Sequence, residues 1–483
     1  MTMGRFLQFF KPISRIMPEI RAPAKRVGFS EKLFWTGMAL VVYLVMSEIP
    51  LFGVPSGRTQ SDPYFFWRVI FAANQRTLME LGIGPIVTAG LILQLIAGAG
   101  IIEVNFSNKE DRALYTAASK FFTIIMVIVQ ALAYIIGGAY RYVDSTTGMV
   151  TNISFAASVA VFVQLLMAGI IIMLLDELIQ KGWGLGSGIS LFIVAGIAQT
   201  IFWSSFNPFT LSHDGKYLGA ILAFIQSILK REPVQKWFIR GSGDPDMLGF
   251  LTTAVLFFIV IYLEGMRIEL PVSYARVRGF RGKLPLKLLY VSNIPVILAY
   301  ALFANIQLVA RIIWSRFNMD NQNFFLNLIG TFNETAEETK VTGGLAYYVT
   351  TPNLQNVVQD PLRGVVYTLI VVALCILFAV IWIEVGGLGP QKVAEQVIDS
   401  GMQIPGFRRS KRPIENLLNR YIPTLTILGG ALVGLIASVS QFFGVFGSGM
   451  GVLLCVSILY QYYQTLAQEQ IQDFFPGLGK VIG

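Results

Sequence analysis

The sequence predicts an all-α polytopic membrane protein, with ten transmembrane helices in two inverted five-helix halves around a central pore. Three observations carry this expectation. Hydrophobic residues make up 54% of the 483 and charged residues 13%, with a mean hydropathy of +0.62, whereas soluble domains carry about a quarter charged residues. Ten apolar stretches of the length a bilayer demands, ~20 residues each, fall at 33–52, 80–102, 117–140, 153–178, 187–206, 248–266, 289–313, 364–385, 422–441 and 444–464. The second stretch holds 22 uncharged residues, Leu81–Ile102, yet is interrupted by Gly82, Gly84, Pro85, Gly90, Gly98 and Gly100. Small residues let helix backbones approach closely, and glycine or proline is tolerated in a spanning helix where neighbours re-satisfy the backbone. The preceding 55–80 segment is too polar to span and too apolar for an ordinary loop. Together they read as a re-entrant element beside a pore-lining helix.

Taken in order, residues 1–32 form a basic amphipathic segment in which Phe6, Phe9, Ile13 and Ile16 alternate with cations, as in a helix lying on a cytosolic membrane surface. It has no apolar core of a cleavable signal peptide, so insertion falls to the first span. Residues 33–206 hold spans one to five, 207–247 an external loop, 248–466 spans six to ten, and 467–483 a cytosolic tail. Only Gln441–Phe443 separate the last two spans, with Gly444, Gly447, Gly449 and Gly451 as helix breakers.

Charge sets the orientation. The 267–288 loop carries Arg267, Arg276, Arg278, Arg281, Lys283 and Lys287 against one acid, Glu269. The 386–420 loop carries Lys392, Arg408, Arg409, Lys411, Arg412 and Arg420, while Asp320, Glu334, Glu337, Glu338 and Asp360 follow span seven. This positive-inside pattern puts both termini in the cytosol. The cations of 207–247 then lie outside, which a long loop tolerates. Five spans per half is odd, so the halves run in opposite directions, and inverted repeats place their functional site at the interface.

Several chemistries lack their residues. Cys375 and Cys455 sit in apolar runs and read as small buried hydrophobes. The lone histidine, His213, supports neither a metal cluster nor a catalytic triad, so no enzyme activity, metal or cofactor is expected. Gly182–Gly188 is glycine-rich but lacks the Lys-Ser/Thr ending of a phosphate loop, so it reads as a tight turn. Glu48, Asp176, Glu177, Glu264 and Glu384 lie at span ends, where an interfacial role suits them better than a proton path. Mid-membrane polarity is neutral instead: Thr88, Gln94, Gln130, Gln164, Asn293, Asn305 and Gln307. Such residues hold helices together by hydrogen bonds that part cheaply. The two basic loops suit an anionic partner such as ribosomal RNA.

Five stretches in order resemble the SecY family, the channel-forming alpha subunit of the Sec protein translocon: Leu81–Gly90, Leu175–Leu178, Gly184–Phe192, Tyr290–Ile297 and Arg420–Pro423. The resemblance covers nearly the whole chain and is of archaeal and eukaryotic type. It implies a protein-conducting channel that passes unfolded secretory chains and releases transmembrane segments sideways into lipid. A secondary transporter with inverted repeats is the alternative. The family's pore ring maps onto Ile83, Val87, Ile189, Ile193, Ile297 and Leu454, its plug onto about 57–74, and its lateral-gate polar cluster onto Thr88, Gln130 and Asn305. Ribosome docking maps onto Arg276, Arg278, Arg408 and Arg409. Further implied are two small partner subunits, SecE/gamma-like and beta-like, nascent chains with signal sequences, and an archaeal cell membrane or, alternatively, the endoplasmic reticulum. Asn152 and Asn333 begin glycosylation sequons on the external side.

Overall fold

The computed structural model describes the chain except residues 1–11, 13–16, 26, 55–67, 69–70, 99–108, 138, 141, 144–149, 152, 210–214, 239, 241–243, 275–280, 292–293, 335–338, 353, 400–401, 404–410 and 475–483. Ten long helices stand at the ten expected places. They are α1 (Phe29–Glu48), α2 (Gly84–Gly98), α3 (Lys109–Ile136), α4 (Phe155–Leu178), α5 (Gly188–Phe206), α6 (Met247–Gly265), α7 (Ile294–Phe317), α8 (Pro361–Val385), α9 (Lys411–Phe442) and α10 (Gly449–Phe474). Eight are long and apolar enough by themselves to cross a membrane. The other two are α2, with only 15 residues, and α10, whose second half is polar.

Local chemistry explains several helix starts. Ser154 caps α4 by accepting from the Ala157 N–H, and Asp246 caps α6 by accepting from the Gly249 N–H at 2.7 Å. Asp360 accepts from the Arg363 N–H, with Pro361 in the first helical turn of α8. Large apolar side chains point outward from the bundle, among them Val163, Phe258 and Leu369 at 50, 70 and 62% exposure. A lipid-facing surface requires such side chains, and a soluble one would avoid them in this number.

Two expected boundaries move, each for a packing reason. Helix α2 begins at Gly84 rather than 80, because Gly82 turns the chain with φ +53° and a Cβ there would lie 2.1 Å from the Phe71 carbonyl. Helix α9 begins at Lys411 rather than 422, because Ile414 and Leu418 bury in an apolar cluster outside the main bundle. That cluster is built on a hairpin that span-level reading did not anticipate. Strand β1 (Arg267–Tyr274) pairs antiparallel with β2 (Arg281–Lys287), and β3 (Met402–Gln403) adds to the other edge of β1. The two basic loops thereby share one sheet. Leu270 and Leu286 anchor it against Ala394 and Val397 of the helix Pro390–Asp399 and against the start of α9.

The two groups of five helices meet along two zones. In one, α2 packs on α7 and α8, and α3 on α7. In the other, α10 packs on α5 and α1. The second zone is pinned where α4 hands over to α5 through a five-residue π-turn, Ile179–Trp183. Ser187, at the N-cap position of α5, makes no side-chain cap. Asp176, from the preceding helix, does so in its place: it accepts from the Ile189 N–H at 3.0 Å and from Gln180 at 2.8 Å. Gly188 leaves room for this carboxylate, since a Cβ there would meet Asp176 at 2.7 Å. Next to it, Glu177 pairs with Lys120 of α3 at 2.5 Å and Lys181 at 2.9 Å. Lys181 also pairs with Glu19, and Trp183 donates to the Arg21 carbonyl at 2.8 Å, lashing residues 19–21 to the π-turn. Asp176 and Glu177, expected merely to sit at the interface, are therefore buried structural ties.

Removing the Asp176 side chain by Asp176→Ala is expected to cost about 1 kcal/mol, the worth of a helix cap, and Asp176→Asn less, as its amide oxygen still accepts. Thermal unfolding in detergent reads the difference. In the 207–247 segment, Lys216 is buried and pairs with Glu232, whose carboxyl its hydrogen bond holds below the usual range. This tie is complete above the ordinary carboxylate pKa of about 4.3 and is lost as pH falls through the lower folded value. Protease cleavage within 207–247 should be flat from pH 7 to about 5 and rise below about 4; a flat profile throughout would show that the pair does not hold the loop.

Candidate functional site

The first contact zone carries two features side by side, an apolar cluster and a small polar one. Ile83, Ile193 and Leu454 are wholly buried, and Val87 nearly so. Ile189 and Ile297 are half-buried against the same core cluster. All six residues of the expected ring lie in the main apolar core of the bundle, to which α1, α4, α6, α8 and α9 also contribute. Branched aliphatics in such a place exclude ions by refusing to wet, yet can be pushed aside because no hydrogen bond holds them.

Helix geometry sets the polar cluster. Thr88, one turn into α2, donates to the Gly84 carbonyl at 2.8 Å, which turns its oxygen outward as an acceptor. Gln130 of α3 and Asn305 of α7 both donate to that oxygen at 3.2 Å. Asn305 is itself steadied by donating to the Ala301 carbonyl at 2.7 Å. One hydroxyl therefore ties three helices across the two halves. Of the other neutral polar residues expected to share this seam, the structure sends two elsewhere. Gln164 bonds the Phe52 backbone, and Gln307 bonds Thr350 and the Val349 carbonyl. Asn293 lies outside the described residues.

Beneath the cluster, a cavity of about 40 Å3 separates it from a buried ion pair. Arg68 and Glu80 are 6 and 1% exposed, with Nη1 and Oε1 2.5 Å apart. The second Glu80 oxygen accepts from the Arg76 backbone N–H, and the Arg68 guanidinium faces the Tyr134 ring at 6.0 Å. Breaking such a pair from one side costs about 3–5 kcal/mol, because the remaining charge stays buried. Most of the expected plug, 57–74, lies outside the described residues, but Arg68 and residues 71–74 are described and firmly held. The Ile83 N–H donates to the Phe71 carbonyl at 2.8 Å, Tyr43 to the Ala72 carbonyl at 3.2 Å, and Asn74 to the Ser47 carbonyl at 3.1 Å. Ala72 adopts φ +51°, a left-handed conformation costly for alanine. Tyr43 in turn stacks on Phe192 of α5 with centroids 5.0 Å apart.

The Arg68–Glu80 pair was not anticipated, although Glu80 directly precedes the uncharged run Leu81–Ile102. The hairpin also escaped notice, despite the alternation of Ile268, Leu270 and Val272 with polar residues. The four arginines expected to dock a ribosome lie outside the described residues, as does Asn152. Their surroundings are described: Tyr274, two residues before Arg276, pairs with Met402, and Gln403 precedes Arg408 by five residues. Asn333 is exposed on a strand of a small hairpin, Thr331–Glu334 with Thr339–Gly343.

Comparison with known proteins agrees with this architecture. The SecY family model matches residues 77–463, and a model for the plug domain of Sec61p matches residues 41–75. The protein translocase subunit SecY of Pyrococcus furiosus is 42% identical over 480 residues, covering 98% of each chain. A solved structure described as that of a protein conducting channel superposes with a TM-score of 0.80 at 36% identity, over 97% of this chain and 99% of that one. Sec61 in the canine ribosome-channel complex from the endoplasmic reticulum does so with a TM-score of 0.77 at 35% identity, again over 97 and 99%. Ten helices in this order, an apolar centre and a near full-length match leave one conclusion: the chain belongs to the SecY family.

Proposed function

We propose that this protein is the conducting subunit of a Sec translocon, passing unfolded polypeptides through its centre and releasing apolar segments sideways between α2–α3 and α7–α8. One observation carries the reading. The Thr88 hydroxyl ties both halves by neutral hydrogen bonds immediately beside an apolar cluster, which is what a seam that seals ions and opens cheaply requires. Intramembrane hydrogen bonds of this kind contribute about 0.6 kcal/mol each. Charged pairs would cost far more to part in lipid. Ile83, Val87, Ile189, Ile193, Ile297 and Leu454 form the pore ring, Thr88, Gln130 and Asn305 the gate cluster, and 57–74 the plug, held closed through Arg68 and Glu80. An apolar ring also speaks against the secondary-transporter alternative, which needs charged or unwound ligands at the midplane.

The same reading supplies partners and place. Transfer of an apolar segment from channel to lipid is itself favourable, so the channel needs only to open. A translating ribosome would provide the push, docked on Arg276 and Arg278 together with Arg408 and Arg409. The shared β1–β3 sheet supports that pairing by starting both basic stretches from neighbouring residues. Two small subunits complete a heterotrimer, and the termini face the cytosol. The membrane is the archaeal cell membrane, or alternatively that of the endoplasmic reticulum.

The decisive experiment crosslinks a stalled secretory chain to cysteines at Val87 and Ile297, with Cys375 and Cys455 replaced. Crosslinks at both positions are expected; crosslinks confined to the basic loops would leave docking without conduction. Substituting Ile83 or Ile297 by asparagine should wet the ring and raise resting ion conductance of reconstituted protein roughly tenfold, the effect of about 1.4 kcal/mol. Thr88→Val removes the shared acceptor and with it two bonds of about 0.6 kcal/mol each. It should shift the closed-to-open balance by roughly sevenfold, read as transport of substrates with weakened signal sequences. Unchanged stringency would remove these residues from the gate.

A further inference from the structure

A second cavity, of about 610 Å3, shares no lining residue with the one at the seam and lies between the end of α8, the helix Pro390–Asp399 and α9. Its size is that of a ligand site rather than a packing defect. Two helix stripes build it. On α8, Val380 is followed one turn later by Glu384. On α9, Ile427 and Pro423 are preceded one turn earlier by Asn419. Both helices therefore turn from apolar to polar at the same level, on the side of the membrane that carries the basic sheet. Val380 and Ile427 are 44 and 50% exposed on membrane-crossing helices, so the apolar part of the groove opens toward hydrocarbon.

The polar end is chemically specific. Lys392 stands on the rim with Glu384, and neither has an ion-pair or hydrogen-bond partner among the described residues. Two opposite charges on one rim that do not meet each other ask for a ligand carrying both complements. A third feature belongs to the backbone. Pro423 sits inside α9 and has no N–H to give the carbonyl of Asn419, four residues back. That leaves an acceptor at the same end of the groove. It also gives Pro423, within the Arg420–Pro423 motif, a role at this groove.

We propose that this groove binds one phospholipid whose headgroup carries both a phosphate and a primary ammonium. The acyl chain lies along Val380 and Ile427. The phosphate meets Lys392, and the ammonium donates to the Glu384 carboxylate and the Asn419 carbonyl. A trimethylated amine cannot make those donations, and a headgroup without an amine leaves Glu384 facing a phosphate.

The test titrates the purified protein, in the complex in which it is extracted, with phosphatidylethanolamine, phosphatidylcholine or phosphatidylglycerol of the same chains, and counts retained lipid by native mass spectrometry. Phosphatidylethanolamine is expected to be retained roughly tenfold better than either, the factor that about 1.4 kcal/mol provides. Glu384→Gln and Lys392→Gln, both at exposed positions that leave the fold intact, should each abolish the preference. Equal retention of the three lipids, or a preference for phosphatidylglycerol, overturns the proposal. A photoreactive residue at Ile427 separates occupants: a lipid adduct supports the site, and a crosslink to a polypeptide overturns it.

Discussion

The structure turns on a single shared acceptor. Two half-bundles must stay closed in a solvent that offers no hydrogen bonds, so each polar group at their junction needs a partner in the closed form. The Thr88 oxygen answers for both Gln130 and Asn305. It can do so because its own proton goes back to the Gly84 carbonyl within α2. Everything around the seam is arranged so that this weak tie suffices. The apolar residues beside it pack without directional bonds, whereas the second contact zone, through α5 and α10, is tied by hydrogen bonds. There Asp176 caps α5, and Tyr462 of α10 donates to the Ser187 carbonyl at 2.9 Å.

The plug end is coupled to that seam by burial. Arg68 and Glu80 share a small cavity wall with Thr88, Gln130 and Asn305. A chain entering between α2 and α7 would change the surroundings of the ion pair and of the polar cluster at once. The strained Ala72, held by Tyr43 and stacked through Phe192 onto α5, extends the same coupling to the second zone. A buried ion pair adds little to stability overall, since desolvation offsets its attraction. Its use here is positional: it defines one seat for the segment that precedes α2.

Much of this was legible from composition and order. Ten apolar runs, the positive-inside charges and the small-residue helix led to ten helices in the right places, while Thr88, Gln130 and Asn305 were picked out only by the resemblance to the SecY family. Boundaries were less legible where packing outweighs hydropathy. The α9 start is polar in sequence, yet Ile414 and Leu418 continue its helical stripe into the cluster beneath the sheet. The β1–β2 hairpin was hidden because a cationic loop draws attention to its charges, while its period-two alternation spans only a few residues.

The sequence by itself determined the class, the number and order of the spans, and the apolar character of the centre, because these follow from local hydropathy, which no neighbour can change. Tertiary structure alone decided which polar residues meet. Seven neutral candidates look alike along the chain, but among the described residues three converge, because helix rotation and crossing place Thr88 between α3 and α7 and turn Gln164 and Gln307 toward backbone elsewhere. The same holds for Asp176, a span-end carboxylate in sequence and a helix cap in space. Pairing across the bundle is a property of packing geometry, and residues 42 or 217 positions apart, as in the Thr88 cluster, leave no local trace of it.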